Sequence, residues 1–129
     1  MRYSCPACGF LVFSEVPGSY EICAVCGWED DPVQLANPCT EGGANRESLK
    51  DAQARALEDC PIGQMEECGW RRDATWRPLT EAEITHFMEL SDGGRRSGQR
   101  AIRDPKDYYW RTSGESISTP DSSSARRLQ

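Results

Sequence analysis

Two Cys-x-x-Cys-Gly units, Cys5-Pro6-Ala7-Cys8-Gly9 and Cys23-Ala24-Val25-Cys26-Gly27, are separated only by the short run up to Ile22. Two thiolates three positions apart turn a tight loop around a single ion. The glycine that follows each pair permits the positive φ that aims backbone N–H groups at the sulfurs. Two such knuckles complete a tetrahedral site, which suits zinc or, less often, iron. The spacing falls just short of the usual C-x2-C-x15-20-C-x2-C pattern. A CxxC redox pair would occur singly beside a βαβ pattern, and this chain has none. Cys5, Cys8, Cys23 and Cys26 are therefore the candidate metal ligands. Four protein thiolates close the coordination sphere to water and substrate, so the site is expected to be structural, and around Zn²⁺ they leave roughly two negative charges.

Between the knuckles, Phe10-Leu11-Val12-Phe13 and Ser19-Tyr20-Glu21-Ile22 flank Pro17-Gly18, which predicts a β-hairpin and hence a zinc ribbon. A ribbon of this size buries too little to fold alone, so the metal must supply much of its folding free energy. Several runs go beyond general ribbon features: Cys5 to Phe10, then Gly-Ser-Tyr-Glu-Ile-Cys-x-Val-Cys-x-Trp-Glu-Asp-Asp over Gly18 to Asp31, then Gly-Gly-x-Asn before Ser-Leu-x-x-Ala over Gly42 to Ala52. Together they resemble the cysteine-rich CPCC family of small bacterial proteins over roughly residues 4–60, with Trp76-Arg77-Pro78-Leu79 as a further match. The resemblance implies a zinc-ribbon-like domain without an established activity. Because some members accompany polymorphic toxins, it also hints at immunity proteins. One departure is Ala7, where the family usually carries a third adjacent cysteine, which argues that the other four suffice for the metal.

Composition narrows the class further. At 129 residues and 14.4 kDa the chain suits one domain, and a hydrophobic fraction of 37% with mean hydropathy −0.70 allows only a small core. No apolar run approaches the ~20 residues of a spanning helix, and the N-terminus lacks the layout of a secretory signal. A cytoplasmic protein is expected, and an odd count of 7 cysteines speaks against a disulfide framework. The net charge is −6, a poor footprint for a stand-alone nucleic-acid binder. It is unevenly spread, with 7 Lys/Arg against 17 Asp/Glu in residues 1–92 and 8 against 4 in residues 93–129.

Trp28-Glu29-Asp30-Asp31 follows the second knuckle at once. It reads either as an acidic contact patch with an aromatic anchor or as a tryptophan covering the metal site beside solvated carboxylates. Residues 32–46 read as an irregular loop. Ser48 caps a helix whose apolar stripe is Leu49, Ala52, Ala56 and Leu57, ended by Pro61. Thr80-Glu81-Ala82-Glu83 is a capping box, Leu79 and Ile84 form its staple, and Ile84, Phe87 and Met88 form the expected buried face of a helix stopped by Gly93-Gly94. Cys39, Cys60 and Cys68 have no knuckle spacing and are expected to be free or buried thiols. His86 and Glu89 share a helical face but form no catalytic constellation, and there is neither a phosphate loop nor a nucleophile elbow.

The expected fold is small α+β: an N-terminal zinc ribbon (a β-hairpin with two CxxC knuckles) plus two helices and an extended C-terminal arm. The divisions are 1–92 for the zinc-ribbon and helical domain, 93–111 for the Arg-rich arm, and 112–129 for a Ser-rich flexible tail. The expected function is non-enzymatic. A zinc-binding interaction module, acting as an immunity protein, would hold a basic toxin domain through Trp28, Glu29, Asp30 and Asp31. The alternative is a zinc-ribbon nucleic-acid-binding or transcription-associated protein that uses residues 95–111.

Overall fold

The computed structural model describes residues 2–90 and 100–112. The tail division at 112–129 lies, apart from its first residue, outside them, as do Gly93-Gly94. The fold is small α+β, with two short antiparallel hairpins and four helices among the described residues. Strand β1 (Tyr3–Ser4) pairs with β2 (Leu11–Phe13) in the register Tyr3↔Phe13 and Ser4↔Leu11, broken by a bulge between Tyr3 and Ser4. The first knuckle is thus itself the hairpin turn. That corrects the expected pairing of Phe10–Phe13 with Ser19–Ile22. The second knuckle repeats the plan with one bridge, Ile22↔Glu29, across its mouth. Each CxxCG loop brings its own flanking strands together, so neither strand needs the Pro17-Gly18 turn to find a partner.

Residues 32–46 are not wholly irregular. Helix α1 (Pro32–Ala36) starts with proline at its first position and with Asp31 as N-cap, whose carboxylate accepts from the N–H groups of Val33 and Gln34. Helix α2 (Leu49–Asp59) is capped by Ser48, as its sequence predicts, and buries Leu49, Ala52 and Ala56. It also buries Gln53, whose amide donates to the Pro6 carbonyl and the Tyr109 hydroxyl and accepts from Leu79 N–H. Strands β3 (Glu66–Glu67) and β4 (Trp70–Arg71) meet at Cys68-Gly69, both at positive φ (51° and 87°). Two central residues at positive φ define the type I′ turn favoured in two-residue hairpins. Cysteine at the first position hides this signal from a sequence search.

Helix α3 (Glu81–Leu90) carries the predicted capping box in full: Glu83 N–H donates to Thr80 Oγ1, and Thr80 N–H donates to Glu83 Oε1. Its burial differs from the expectation. Met88 is 50% exposed and Ile84 and Phe87 are half-buried, whereas Glu83 is 3% exposed and pairs bidentately with Arg77 at 2.8 and 2.9 Å. The helix is therefore held chiefly by its first turn. Burial by itself would raise the Glu83 carboxyl, but Arg77 and the Thr80 N–H outweigh it and hold the group below the usual carboxylate range.

The C-terminal stretch is not an extended arm over its described residues. A 3-10 turn (Pro105–Asp107) leads into α4 (Tyr109–Thr112), and Tyr108, Tyr109 and Trp110 enter the same apolar core as Cys5, Phe10, Trp28, Leu49 and Trp76. The Tyr108 and Trp110 rings stack at 4.1 Å, and Tyr109 meets Trp110 edge-on at 4.9 Å. No helix among the described residues is long and apolar enough to cross a membrane.

Two outcomes follow from this burial. Trp110→Ala is expected to cost about 3–5 kcal/mol in denaturant unfolding, whereas Phe87→Ala, at a half-buried ring, costs about 1–2 kcal/mol. Glu83 is ionised in the fold at pH values where it is protonated in the unfolded chain, so its contribution is complete near neutrality and is lost as pH falls through the folded-state pKa. The stability gap between the native chain and Glu83→Gln should accordingly narrow on acidification below about pH 4, measured by urea unfolding across a pH series.

Candidate metal centre

Cys5 and Cys8 sit in the turn between β1 and β2, and Cys23 and Cys26 in the turn closed by the Ile22–Glu29 bridge. The turns repeat one hydrogen-bond pattern: Gly9 N–H donates to Cys5 O at 2.7 Å, and Gly27 N–H to Cys23 O at 3.0 Å. Both glycines stand at positive φ, 83° and 85°. In the second knuckle the N–H groups of Val25 and Cys26 point at Cys23 Sγ at 3.3 and 3.4 Å, the geometry that stabilises a thiolate. Cys5 Sγ lies 3.6 Å from Cys26 Sγ, and Cys8 Sγ lies 3.7 Å from Cys23 Sγ, so each contact joins one knuckle to the other.

The four sulfurs all lie within 4.8 Å of one another, and no pair is bonded as a disulfide. A tetrahedron with metal–sulfur bonds of ~2.3 Å has edges of about 3.8 Å, which the two shortest separations approach. Burial pushes the Cys5 thiol well up, and contact with Cys23 and then Cys26 raises Cys8, while Cys26, Cys5 and Cys8 together hold Cys23 low. Four ionised sulfurs at this spacing require a cation among them. Cys5, Cys8, Cys23 and Cys26 are positioned to bind one metal ion, and they are the one gathered group of potential ligands among the described residues. Ala7 is buried and adds no fifth donor.

A second set of residues fastens the first knuckle from behind. The Pro6 carbonyl accepts from Gln53 Nε2 and Trp76 Nε1, the Cys8 carbonyl from Arg72 Nε, and the Gly9 carbonyl from Asp73 N–H. Ser4 Oγ donates to the Asp73 carboxylate. Trp76 packs so closely over Gly9 that a Cβ there would lie 2.5 Å from the ring. The second knuckle is held more lightly, by Arg55 donating to Cys26 O at 3.3 Å. Sequence reasoning missed Gln53, Arg72 and Asp73 in this role. Their partners are carbonyls up to 64 positions away in the sequence, and no local pattern encodes them.

Three of the four residues expected to form the partner contact turn inward. Trp28 is buried, and Asp30, at 1% exposure, accepts from Gly18 N–H, Ser19 N–H and Ser19 Oγ. Burial raises the Asp30 carboxyl despite these donors. Asp31 is buried as the α1 cap and accepts from Ala44 N–H through its second oxygen. Only Glu29 of the four keeps a partly open side chain, and its backbone is bridged on both sides by the Asn45 amide, each bond 2.8 Å. The Trp-Glu-Asp-Asp and Gly-Gly-x-Asn runs thus lock each other: a Cβ on Gly43 would lie 2.6 Å from Asp31 Oδ2.

The other thiols stand apart. Cys39 donates weakly to Ile84 O at 3.7 Å, Cys60 is the buried C-cap of α2, and Cys68 is exposed in the β3–β4 turn. His86 is exposed and meets only the edge of Phe87 among the ring contacts, at 5.1 Å.

The sequence pattern of the family described as Cysteine-rich CPCC matches residues 3–68. The chain belongs to that family. A comparison with curated proteins found no match. The matched stretch holds all four sulfurs, both knuckles, α1, α2 and Gln53, whereas Arg72, Asp73, Trp76 and the aromatic run at 108–110 lie beyond it.

The two knuckle glycines separate backbone strain from packing. Gly27→Ala meets nothing within 4 Å and should cost only the left-handed backbone term, about 1–2 kcal/mol. Gly9→Ala adds the collision with Trp76 and should cost about 1–3 kcal/mol more, read as the difference in unfolding midpoint of the metal-loaded proteins.

Proposed function

We propose that this chain is a non-enzymatic, zinc-stapled protein-interaction module: a cytoplasmic immunity protein that binds and neutralises a basic toxin domain. The observation carrying the reading is the closure of the four-sulfur cluster. Four cysteine donors on two rigid turns satisfy a tetrahedral ion by themselves and leave no position for water or substrate, so the metal holds structure together. Zinc is the ion that this all-thiolate, tetrahedral donor set suits best.

With Trp28, Asp30 and Asp31 folded inward, the contact is assigned to the loop at residues 14–22. Ile22 is 68% and Tyr20 47% exposed, and Val16 is exposed beside them. The loop is pre-organised. Glu21 accepts from Ser14 N–H, Ser14 Oγ and Glu15 N–H, Asp30 holds Gly18 and Ser19, and Tyr20 is kept at φ 62°. A rigid loop presenting an aromatic and a β-branched side chain binds with little ordering cost. Its neighbours in sequence carry negative charge: residues 3–45 contain Glu15, Glu21, Glu29 and Glu41 outside the buried Asp30 and Asp31 and no lysine or arginine, and Arg103, from the C-terminal stretch, is set against the loop at Gly18. A basic partner would be steered to this end of the molecule. Against the nucleic-acid alternative, Tyr108, Tyr109 and Trp110 are buried and offer bases no stacking platform.

Metal analysis of the protein isolated from its host should return one equivalent of zinc, and purification of the tagged chain should bring down a single basic protein in near-equal amount. Ile22→Asp with Tyr20→Asp should weaken that complex by at least ~30-fold, the loss of a binding hot spot, with zinc content unchanged. Glu15→Lys with Glu29→Lys should slow association, and the slowing should shrink as salt rises. Recovery of nucleic acid in place of a protein, or an unaltered complex with both loop variants, would refute the reading.

A further inference from the structure

Arg72 is 2% exposed, and none of the ion pairs among the described residues includes it. Its guanidinium donates only to carbonyl oxygens: Cys8 at 2.8 Å, Pro61 at 2.6 Å, Gln64 at 2.9 Å and Cys60 at 2.9 Å. The Phe10 and Trp76 rings cover it, with centroids 4.7 and 5.4 Å away. A neutral amide could satisfy some of these carbonyls. A buried cation without a carboxylate is costly and calls for negative charge nearby.

We infer that Arg72 is the counter-cation of the metal-loaded four-sulfur centre, and that the affinity of the site for a divalent ion depends on its charge. Four thiolates around a divalent ion leave roughly two negative charges inside the core. Arg72 Nε donates to the backbone carbonyl of Cys8, so the cation is held against a residue that itself supplies one of the four sulfurs. Arg77, half-buried in the same region, already has a carboxylate in Glu83. Arg72 also follows β4 directly and is bridged to Phe10 across the end of β2. Loading the metal would thereby steady the 60–72 segment, which contains neither knuckle. The inference rests on the cluster taking a divalent ion, as proposed above. It adds that a residue beyond the family-matched stretch tunes the site by outer-shell electrostatics.

The test compares Arg72→Gln, which keeps donors and removes charge, with Arg72→Lys, which keeps charge and removes the planar fork. Arg77→Gln serves as the control for loss of a half-buried arginine elsewhere. Zn²⁺ affinity of each full-length protein is measured by competition with a chromophoric chelator. Folding of the loaded state is followed by urea unfolding, and the thiolate-to-cobalt absorption of the Co²⁺-loaded protein reports the integrity of the four-sulfur shell. Arg72→Gln should bind Zn²⁺ 10–100-fold more weakly with the cobalt spectrum retained. Arg72→Lys should recover most of that loss, and Arg77→Gln should lower the urea midpoint with Zn²⁺ affinity within about twofold of the native chain. Equal Zn²⁺ affinity of Arg72→Gln and the native chain, or equal losses in Arg72→Gln and Arg72→Lys, would overturn the inference and leave Arg72 as a carbonyl clamp. If Arg72→Gln does not fold, Arg72→Lys decides: near-native Zn²⁺ affinity supports the charge role, and a 10-fold or greater loss refutes it. A native chain that binds no Zn²⁺ refutes the metal reading itself, a result distinct from any ratio between variants.

Discussion

Four sulfurs held within 4.8 Å of one another are the constraint on which the rest of this molecule is arranged. Unpaired, they would repel as thiolates and pack poorly as thiols; around a cation they tie two loops that share no backbone ladder. Each knuckle closes only a few hydrogen bonds of its own, and strands of two or three residues cannot stand alone. The cluster turns two marginal turns into one rigid corner, and α2, the 72–76 segment and the aromatic run at 108–110 pack on that corner. Folding and metal binding are for that reason a single equilibrium in a site of this kind.

The outer carbonyls of the first knuckle find donors from elsewhere in the chain. A CxxCG turn exposes carbonyls on its outer side, and burying them without partners would cost about 1–3 kcal/mol each. Gln53 and Trp76 share the Pro6 carbonyl, Arg72 takes that of Cys8, and the Asp73 N–H takes that of Gly9. The same economy appears at the acidic run, where Asp30 and Asp31 spend their oxygens on backbone N–H groups of residues 18–19, 33–34 and 44. Charges that look like a surface patch in the sequence are internal caps in the fold. The large side chains left exposed at this end of the molecule are instead Tyr20 and Ile22, on the clamped loop.

The metal ligands, both knuckle glycines, the caps at Ser48 and Thr80 and the α2 stripe were legible in the sequence because each is a local device. Ligand spacing, a left-handed glycine and an N-cap hydroxyl act over three or four residues, and their chemistry allows few substitutes. The resemblance to the CPCC family rested on the same kind of contiguous runs, and the family match over residues 3–68 agrees with it.

Tertiary structure decided the rest, since those choices depend on what lies across space. Leu11–Phe13 could pair forward or backward, and the knuckle closed it backward onto Tyr3–Ser4. The apolar face of α3 reads as core by its period, yet Met88 stays half exposed, because the helix is anchored through the Glu83–Arg77 pair at its first turn. The basic-aromatic stretch could by composition either reach for nucleic acid or fold back on the acidic body, and its described part folds back, delivering Tyr108, Tyr109 and Trp110 to the core, where apolar area outweighs the cost of ordering the segment. The sequence by itself determined that four cysteines can hold one ion. Which carbonyls, rings and charges surround that ion depended on contacts between residues dozens of positions apart, and only the folded chain brings them together.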